Sequence, residues 1–494
     1  MKFGLEQHII DTLIAVFEQH PKVDKALVFG SRAKGNYRPD SDIDIAIKGQ
    51  DLNTDDIIAM SVAFEEKGIT HKIDLINYDT IKEPDLKDHI KRVGIELYSR
   101  WKSVKLQEIV SKLGDGLHGT PEYDIDGEYY FINGNNLIDG KIVIKENTQR
   151  VTEQEYLKYK KELNDRTILL GINGTIGNVA IYNGEKCILG KSACYFNVIN
   201  DVSKDYIKYV VMDKTFQTYI ENFANGSTIM NVSLKVVRDY EFALPPIPEQ
   251  TAIAKILTSL DDKIDLLHRQ NKTLEQLAET LFRSYFPMTN EENKYVELGN
   301  YVDCINGVSY KSSELNPSKV GMVSLKSFDR NGGFSIDGFK EFTGKFKEKQ
   351  EVVEGDLIVA HTDITQDAEV IGNPALVISN PNFDTLTISM DIVKVISKVD
   401  WISIEFLYFL MRTREFKSHC EGCANGSTVL HLNKQAIPTF EFPEPGKNNV
   451  ADFTKQAREI VSKIFLNHRQ LRNLVKTRNT LLPKLMSGEV RVNL

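Results

Sequence analysis

The sequence predicts a multidomain chain of mixed α/β and α+β class: a small N-terminal α/β domain, then two pseudo-repeated units, each followed by a long helix. Three observations carry this. Short stretches recur 200 residues apart: Ala224-Asn225-Gly226-Ser227-Thr228 as Ala424-Asn425-Gly426-Ser427-Thr428, and His268-Arg269-Gln270 as His468-Arg469-Gln470, with Tyr240-Glu241-Phe242 in register with Phe440-Glu441-Phe442. A long apolar repeat follows each unit. Residues 1–100 echo nothing and carry their own pattern. The period is too long for a solenoid, so whole domains are duplicated, with a twofold-like arrangement. The expected boundaries are 1–100, 101–247, 248–290 (first long helix), 291–445 and 446–494 (second long helix).

A chain of 494 residues is long enough for about three or four domains. Its 41% hydrophobic and 26% charged content are those of a soluble globular protein. Five cysteines (Cys187, Cys194, Cys304, Cys420, Cys423) do not make a disulfide scaffold, and a reducing cytoplasm is the simple reading. Cys420-Glu421-Gly422-Cys423 is a lone C-x-x-C and reads as ordinary thiols, since zinc needs two further ligands. The start, Met1 to Glu6, is not a signal peptide, and no apolar run reaches the roughly 18 residues that span a bilayer. The net charge of −8 argues against a protein coated in nucleic acid, though not against local basic faces.

In residues 1–100, Ile9 to Phe17 has helical spacing. Ala26-Leu27-Val28-Phe29, Ile43-Asp44-Ile45-Ala46-Ile47 and Lys72-Ile73-Asp74-Leu75-Ile76 read as strands. The small-residue turn Gly30-Ser31-Arg32-Ala33-Lys34-Gly35 follows the first strand and can bring backbone N–H groups to phosphate oxygens. Asp42 and Asp44 are two apart, so both carboxylates face one way, and Asp74 supplies a third from another strand. Three converging carboxylates suit Mg²⁺, and two metals there would activate an attacking oxygen and stabilise a leaving pyrophosphate. This set, over about residues 10–98, resembles the minimal nucleotidyltransferase domain of the polymerase-β superfamily. The resemblance implies Asp42, Asp44 and Asp74 as catalytic, metal-binding residues. It implies Gly30 and Ser31 as nucleotide-phosphate holders, and Mg²⁺ and an NTP, ATP by preference, as cofactors. Arg32 and Lys34 are nucleotide-binding candidates that read equally as solvated loop charges.

The two later units open alike, at Val104-Lys105-Leu106-Gln107-Glu108-Ile109 and at Val296-Glu297-Leu298-Gly299-Asn300-Tyr301. Each has an apolar strand after an acidic turn, at Asp165 to Leu170 and Gly355 to Ala360, and a helical stretch, at Ser203 to Tyr209 and Ser403 to Phe409. Between these landmarks they diverge, as Gly171 to Asn178 against His361 to Ala368 shows. Heptad-type positions then run through Ile253, Leu257, Leu260, Ile264, Leu267, Asn271, Leu274, Ala278, Leu281 and Tyr285. In the second helix they run through Phe453, Ala457, Ile460, Ile464, Asn467, Leu471, Leu474, Arg478 and Leu481. Such seams predict an antiparallel coiled coil, with Asn271 and Asn467 as buried polar residues that fix its register. The roughly 33 residues of the first seam make about 50 Å of helix at ~1.5 Å per residue.

Leu244-Pro245-Pro246-Ile247-Pro248-Glu249-Gln250 before a heptad helix resembles the specificity subunit of type I restriction–modification systems. So do the Asn-Gly-Ser-Thr turn and the ending Leu481-Leu482-Pro483-Lys484-Leu485-Met486-Ser487-Gly488-Glu489. The resemblance covers about residues 101–494. It implies a non-catalytic part without cofactor, in which two target-recognition domains each read half of a split double-stranded DNA site across a helical spacer. Two methyltransferase subunits and an ATP-driven restriction subunit are the implied protein partners, with no membrane. Candidate phosphate contacts are Lys141, Lys145, Arg150, Lys158, Lys160, Lys161 and Lys191 in the first unit. The second offers Lys311, Lys319, Lys326, Arg330, Lys345, Lys347 and Lys349. Asn225, Ser227, Thr228 and their counterparts read first as a turn.

No adenine-methyltransferase Asn/Asp-Pro-Pro-aromatic motif occurs. Gly184 to Ser192 is no P-loop, having five residues between glycines where four are needed. The expected function is therefore DNA-sequence specificity with an appended nucleotidyltransferase of regulatory or antitoxin-like role. The alternatives are a nucleotidyltransferase whose nucleic-acid or protein target the two recognition domains select, and an inactive nucleotide sensor or docking module.

Overall fold

The computed structural model describes residues 2–49, 51–226, 230–288, 294–328, 333–363, 368–426 and 429–492. Ser227, Thr228, Ser427, Thr428, Arg330 and the divergent stretch 364–367 lie outside the described residues. The chain divides into two compact units, residues 1–261 with 477–494 and residues 262–476. The division falls within both long helices. The reason is packing: the first long helix, Ile247–Tyr285, buries Ile253, Ala254 and Leu257 in the core of one unit and Ala278 and Phe282 in that of the other.

In the first unit, residues 1–100 have a core of their own. Helix α1 (Gln7–Glu18) buries Ile9, Ile10, Leu13, Val16 and Phe17, the spacing of one helical face. Strands β1 (Lys25–Val28), β2 (Ile43–Lys48), β3 (Ile73–Asn77) and β4 (Ile95–Ser99) form one sheet in the order β3-β2-β1-β4, with β2 and β3 parallel. Ile43, Ile45, Ala46 and Ile47 are wholly buried, as expected of a strand covered on both faces. Helix α2 (Gly30–Lys34) leaves β1 at once, and Gly35, at φ +76°, ends it in a left-handed turn that glycine favours.

The remainder of the first unit is a second core. Strands Val110–Asp115, Ala193–Val198, Thr167–Gly171 and Val179–Ile181 are neighbours in that order, and the opening strand Lys102–Lys105 pairs with Glu241–Leu244. The helix Lys204–Met212 is capped by Ser203, which accepts from the Tyr206 N–H. In the second unit, Val302–Asn306, Ile392–Ser397, Leu357–Ala360 and Pro374–Leu376 follow the same order. There Tyr295–Glu297 pairs with Glu441–Pro443, and Ser403 caps Ile404–Met411. The interiors differ. Tyr129–Ile132 sits in a three-stranded sheet, whereas Val320–Val323 sits in a four-stranded one.

The first long helix has 39 residues and begins before its seam, because Pro248 in its first turn forfeits no helical hydrogen bond. The second, Lys447–Met486, has 40. Within the second unit, Asn467 donates its Nδ2 to Asn271 Oδ1 at 2.8 Å, both side chains being buried. Ile264, Leu267 and Leu471 form a small apolar cluster on the same two helices. No helix among the described residues is long and apolar enough to cross a membrane.

Candidate functional site: a carboxylate edge and two recognition surfaces

The carboxylate edge is set by strand register. The Phe29 N–H donates to the Asp44 carbonyl at 2.9 Å, which folds the β1–α2 turn against β2. Gly30 follows at φ +70°, and a Cβ there would stand 2.0 Å from Asp44 Oδ2. Only glycine lets that carboxylate lie over the turn. Across the parallel β2–β3 pair, Asp44 is opposite Asp74, and the Ile43 N–H donates to the Lys72 carbonyl at 2.8 Å. With a side-chain period of two, Asp42, Asp44, Lys72 and Asp74 share one face.

Lys72 joins this group without having been singled out in the sequence. Its Nζ lies 2.8 Å from Asp42 Oδ2 and 3.2 Å from Asp74 Oδ1. Burial raises the Asp44 carboxyl above the ordinary 3.8, and the Asp74 and Asp42 charges raise it further. Hydrogen bonds to Asp42 and then Asp74 raise the Lys72 ammonium. The expected three-carboxylate metal centre is not closed: among the described residues no group of three or more His, Cys, Asp or Glu is arranged to hold a metal ion. An ammonium stands between two of the three carboxylates instead. The edge offers carboxylate oxygens only, the donor type that a hard divalent cation takes.

Arg32 departs from its expected role. It is 2% exposed, and its guanidinium donates to the main-chain carbonyls of Phe3, Pro39, Ser41 and Asp42 at 2.7–3.4 Å. Burial turns it inward, so it braces the segment entering Asp42 and does not reach for phosphate. Ser31 is half-buried and Lys34 exposed on the same short helix.

The basic candidates for phosphate contact are spread over separate elements. Lys141 lies on Lys141–Ile142, Arg150 on Arg150–Val151 over the Tyr130 ring, and Lys158 on Glu153–Tyr159, 3.4 Å from Glu155. Lys160 is exposed beyond that helix, and Lys145 and Lys161 are half-buried in loops. Lys191 lines a 190 Å³ cavity with His118, Asn173 and Asn231. In the second unit Lys311, Lys319, Lys326, Lys345, Lys347 and Lys349 are all exposed. Asn225 pairs with Asn231 and Asn425 with His431 in the same backbone register. One frame position thus carries an exposed amide in one unit and an exposed imidazole in the other. Gly426, at φ +132°, has no room for a Cβ, which would meet the Val429 carbonyl at 2.1 Å.

A third cluster gathers residues distant in sequence. Glu249, 1% exposed, accepts from Trp101 Nε1 at 3.2 Å and lies 3.6 Å from Arg100 Nε and 3.7 Å from Arg491 Nε. Arg491 also stands 3.1 Å from Asp24 and donates to the Pro21 carbonyl at 3.0 Å. The end of β1 opposite the carboxylates is thereby tied to the start of the first long helix.

Two stretches of the chain match known protein families. Residues 11–103 match polymerase beta nucleotidyltransferase, and residues 98–276 match the type I restriction modification DNA specificity domain. The chain therefore joins a nucleotidyltransferase domain to a type I DNA specificity domain. It is similar to the type I restriction enzyme MjaIX specificity subunit of Methanocaldococcus jannaschii, 25% identical over 350 residues, covering 66% of this chain and 78% of that one. The MjaVIII specificity subunit of the same organism is 21% identical over 424 residues, covering 81% and 95%. Among solved structures, the type I restriction-modification S subunit from M. genitalium is 18% identical, covering 78% and 96%, with a TM-score of 0.49.

Proposed function

We propose that this chain is the DNA-sequence specificity subunit of a type I restriction–modification system, carrying a regulatory, Mg²⁺-dependent nucleotidyltransferase domain of antitoxin-like role. The observation that carries the reading is one strand order occurring twice, the first time within the matched specificity domain, with different interiors. Residues 101–247 and 291–445 are then two target-recognition domains, each reading half of a bipartite double-stranded site. The long helices form an antiparallel coiled coil, supported within the second unit by Asn271 on Asn467 and Phe282 on Phe453. Two methyltransferase subunits and a restriction subunit are its protein partners, in the cytoplasm. Co-expression with a methyltransferase subunit should yield a stable complex and methylation at one split motif; a complex without sequence-defined methylation would refute the reading.

In the N-terminal domain, Asp42, Asp44 and Asp74 would hold Mg²⁺, and Gly30 and Ser31 would lie against the NTP phosphates. Bound there, the metal supplies charge neutralisation at the phosphates and a more acidic acceptor hydroxyl. Arg32 holds the segment that presents Asp42, and Gly30 gives Asp44 its place. Transfer of label from NTP, lost in Asp42→Asn/Asp44→Asn, tests this. The second reading, a nucleotidyltransferase whose nucleic-acid or protein target the recognition domains select, is favoured by the Glu249 cluster, which fixes the domain to the specificity part. Label on DNA or RNA would support it, and label on a partner protein alone the first.

A further inference from the structure

We propose that Lys72 is a positioning residue of the nucleotidyltransferase edge: its ammonium is a built-in counter-cation that holds Asp42 and Asp74 together, competes with a bare divalent cation, and yields to one arriving with nucleotide phosphates. The inference rests on the nucleotidyltransferase reading and adds a residue that reading does not use.

Lys72 is at the edge by register, not by chance of side-chain reach. It precedes Asp74 by two on the same chain, and its carbonyl accepts from the Ile43 N–H, which puts it beside Asp42. The face so formed carries two rows, Asp42 beside Lys72 and Asp44 beside Asp74. Three carboxylates and one ammonium leave a net charge of −2, which one divalent ion neutralises. Without the ammonium the face would be −3 and would draw a bare cation more strongly.

The contact is made to break. Lys72 is 67% exposed and its two carboxylate partners are 41% and 48% exposed, so the ammonium leaves for water at little cost. Arg32 is the contrast: buried and bonded to four main-chain carbonyls, it has nowhere to go. A bare cation must expel the ammonium from its partners. A cation carried by a triphosphate brings phosphate oxygens that replace those partners, and the competition vanishes. Lys72 thus biases the edge toward the metal–nucleotide complex over the metal alone.

The test is Mn²⁺ binding to the full chain by titration calorimetry, with the D42N/D44N/D74N chain as blank. Lys72→Met should bind bare Mn²⁺ about fivefold more tightly than the wild-type chain, the weight of an exposed ion pair. Lys72→Arg should bind as the wild-type chain does. The complex of Mn²⁺ with a non-hydrolysable ATP analogue should bind Lys72→Met no more tightly than wild type. Equal affinity of Lys72→Met and wild type for bare Mn²⁺, or equal tightening for metal and metal–nucleotide, overturns the proposal. A wild-type chain that binds no more than the blank overturns the nucleotidyltransferase reading with it.

Discussion

The sheet of residues 1–100 and the sheet of residues 110–198 in the first unit handle charge in opposite ways. In the first, strand register gathers three carboxylates and an ammonium on one face. In the second, charges are dispersed over separate elements, and the groups that meet at the Asn225–Asn231 pairing are neutral amides. Reaction chemistry needs charges concentrated where new charge develops, whereas reading bases needs neutral donors and acceptors at fixed places. On the proposed function, the two activities are therefore separable, and substitutions should break one without the other.

The largest effect is expected at the edge. Asp42→Asn with Asp44→Asn should reduce nucleotidyl transfer about a hundredfold or more, since metal-charge stabilisation is lost. Sequence-selective DNA binding by the assembled complex should not change. Next is the tie between the two sheets. Glu249→Ala leaves Arg491 and Arg100 without their buried partner and should destabilise the chain by about 3–5 kcal/mol in chemical denaturation. Glu249→Gln, which can still accept from Trp101, should cost less.

A smaller effect tests the recognition side. Asn231→Ala should weaken discrimination at one base of one half-site by about 1–3 kcal/mol, leaving the other half intact. His431→Ala should do the converse. Methylation patterns read both.

The smallest effect sharpens the contrast through pH. The folded Asp44 carboxyl is raised, by burial first and then by Asp74 and Asp42. A raised group favours folding below its unfolded value and loses that contribution as pH rises through its folded value. Asp44→Asn should therefore raise the melting temperature at neutral pH even as it lowers transfer. The gain should shrink as pH falls toward the ordinary 3.8.

How much of this was legible follows from how each feature is encoded. The shared face of Asp42, Asp44 and Asp74 could be read because strand period and a glycine turn are local signals. The long helices could be read because heptads persist, and Asn271 and Asn467 stood out as polar breaks in apolar seams. Arg32 was ambiguous because a loop arginine looks alike whether it faces water or main-chain carbonyls. Lys72 was missed because its role depends on which residue of β2 lies opposite, and that is register, not spacing. The Glu249 cluster joins Asp24, Arg100 and Arg491 only through tertiary packing, so no window of sequence contains it. The frame position shared by Asn231 and His431 was hidden because the repeat is conspicuous at Asn-Gly-Ser-Thr and differs in residue type at that position.

The most direct measurement of the central claim is the methylation pattern of cells that make this chain, or its Asp42→Asn/Asp44→Asn variant, with a type I methyltransferase subunit. One bipartite motif with a fixed gap, the same for both chains, is expected. Methylation without a motif, or a motif altered when the two aspartates are replaced, would contradict it.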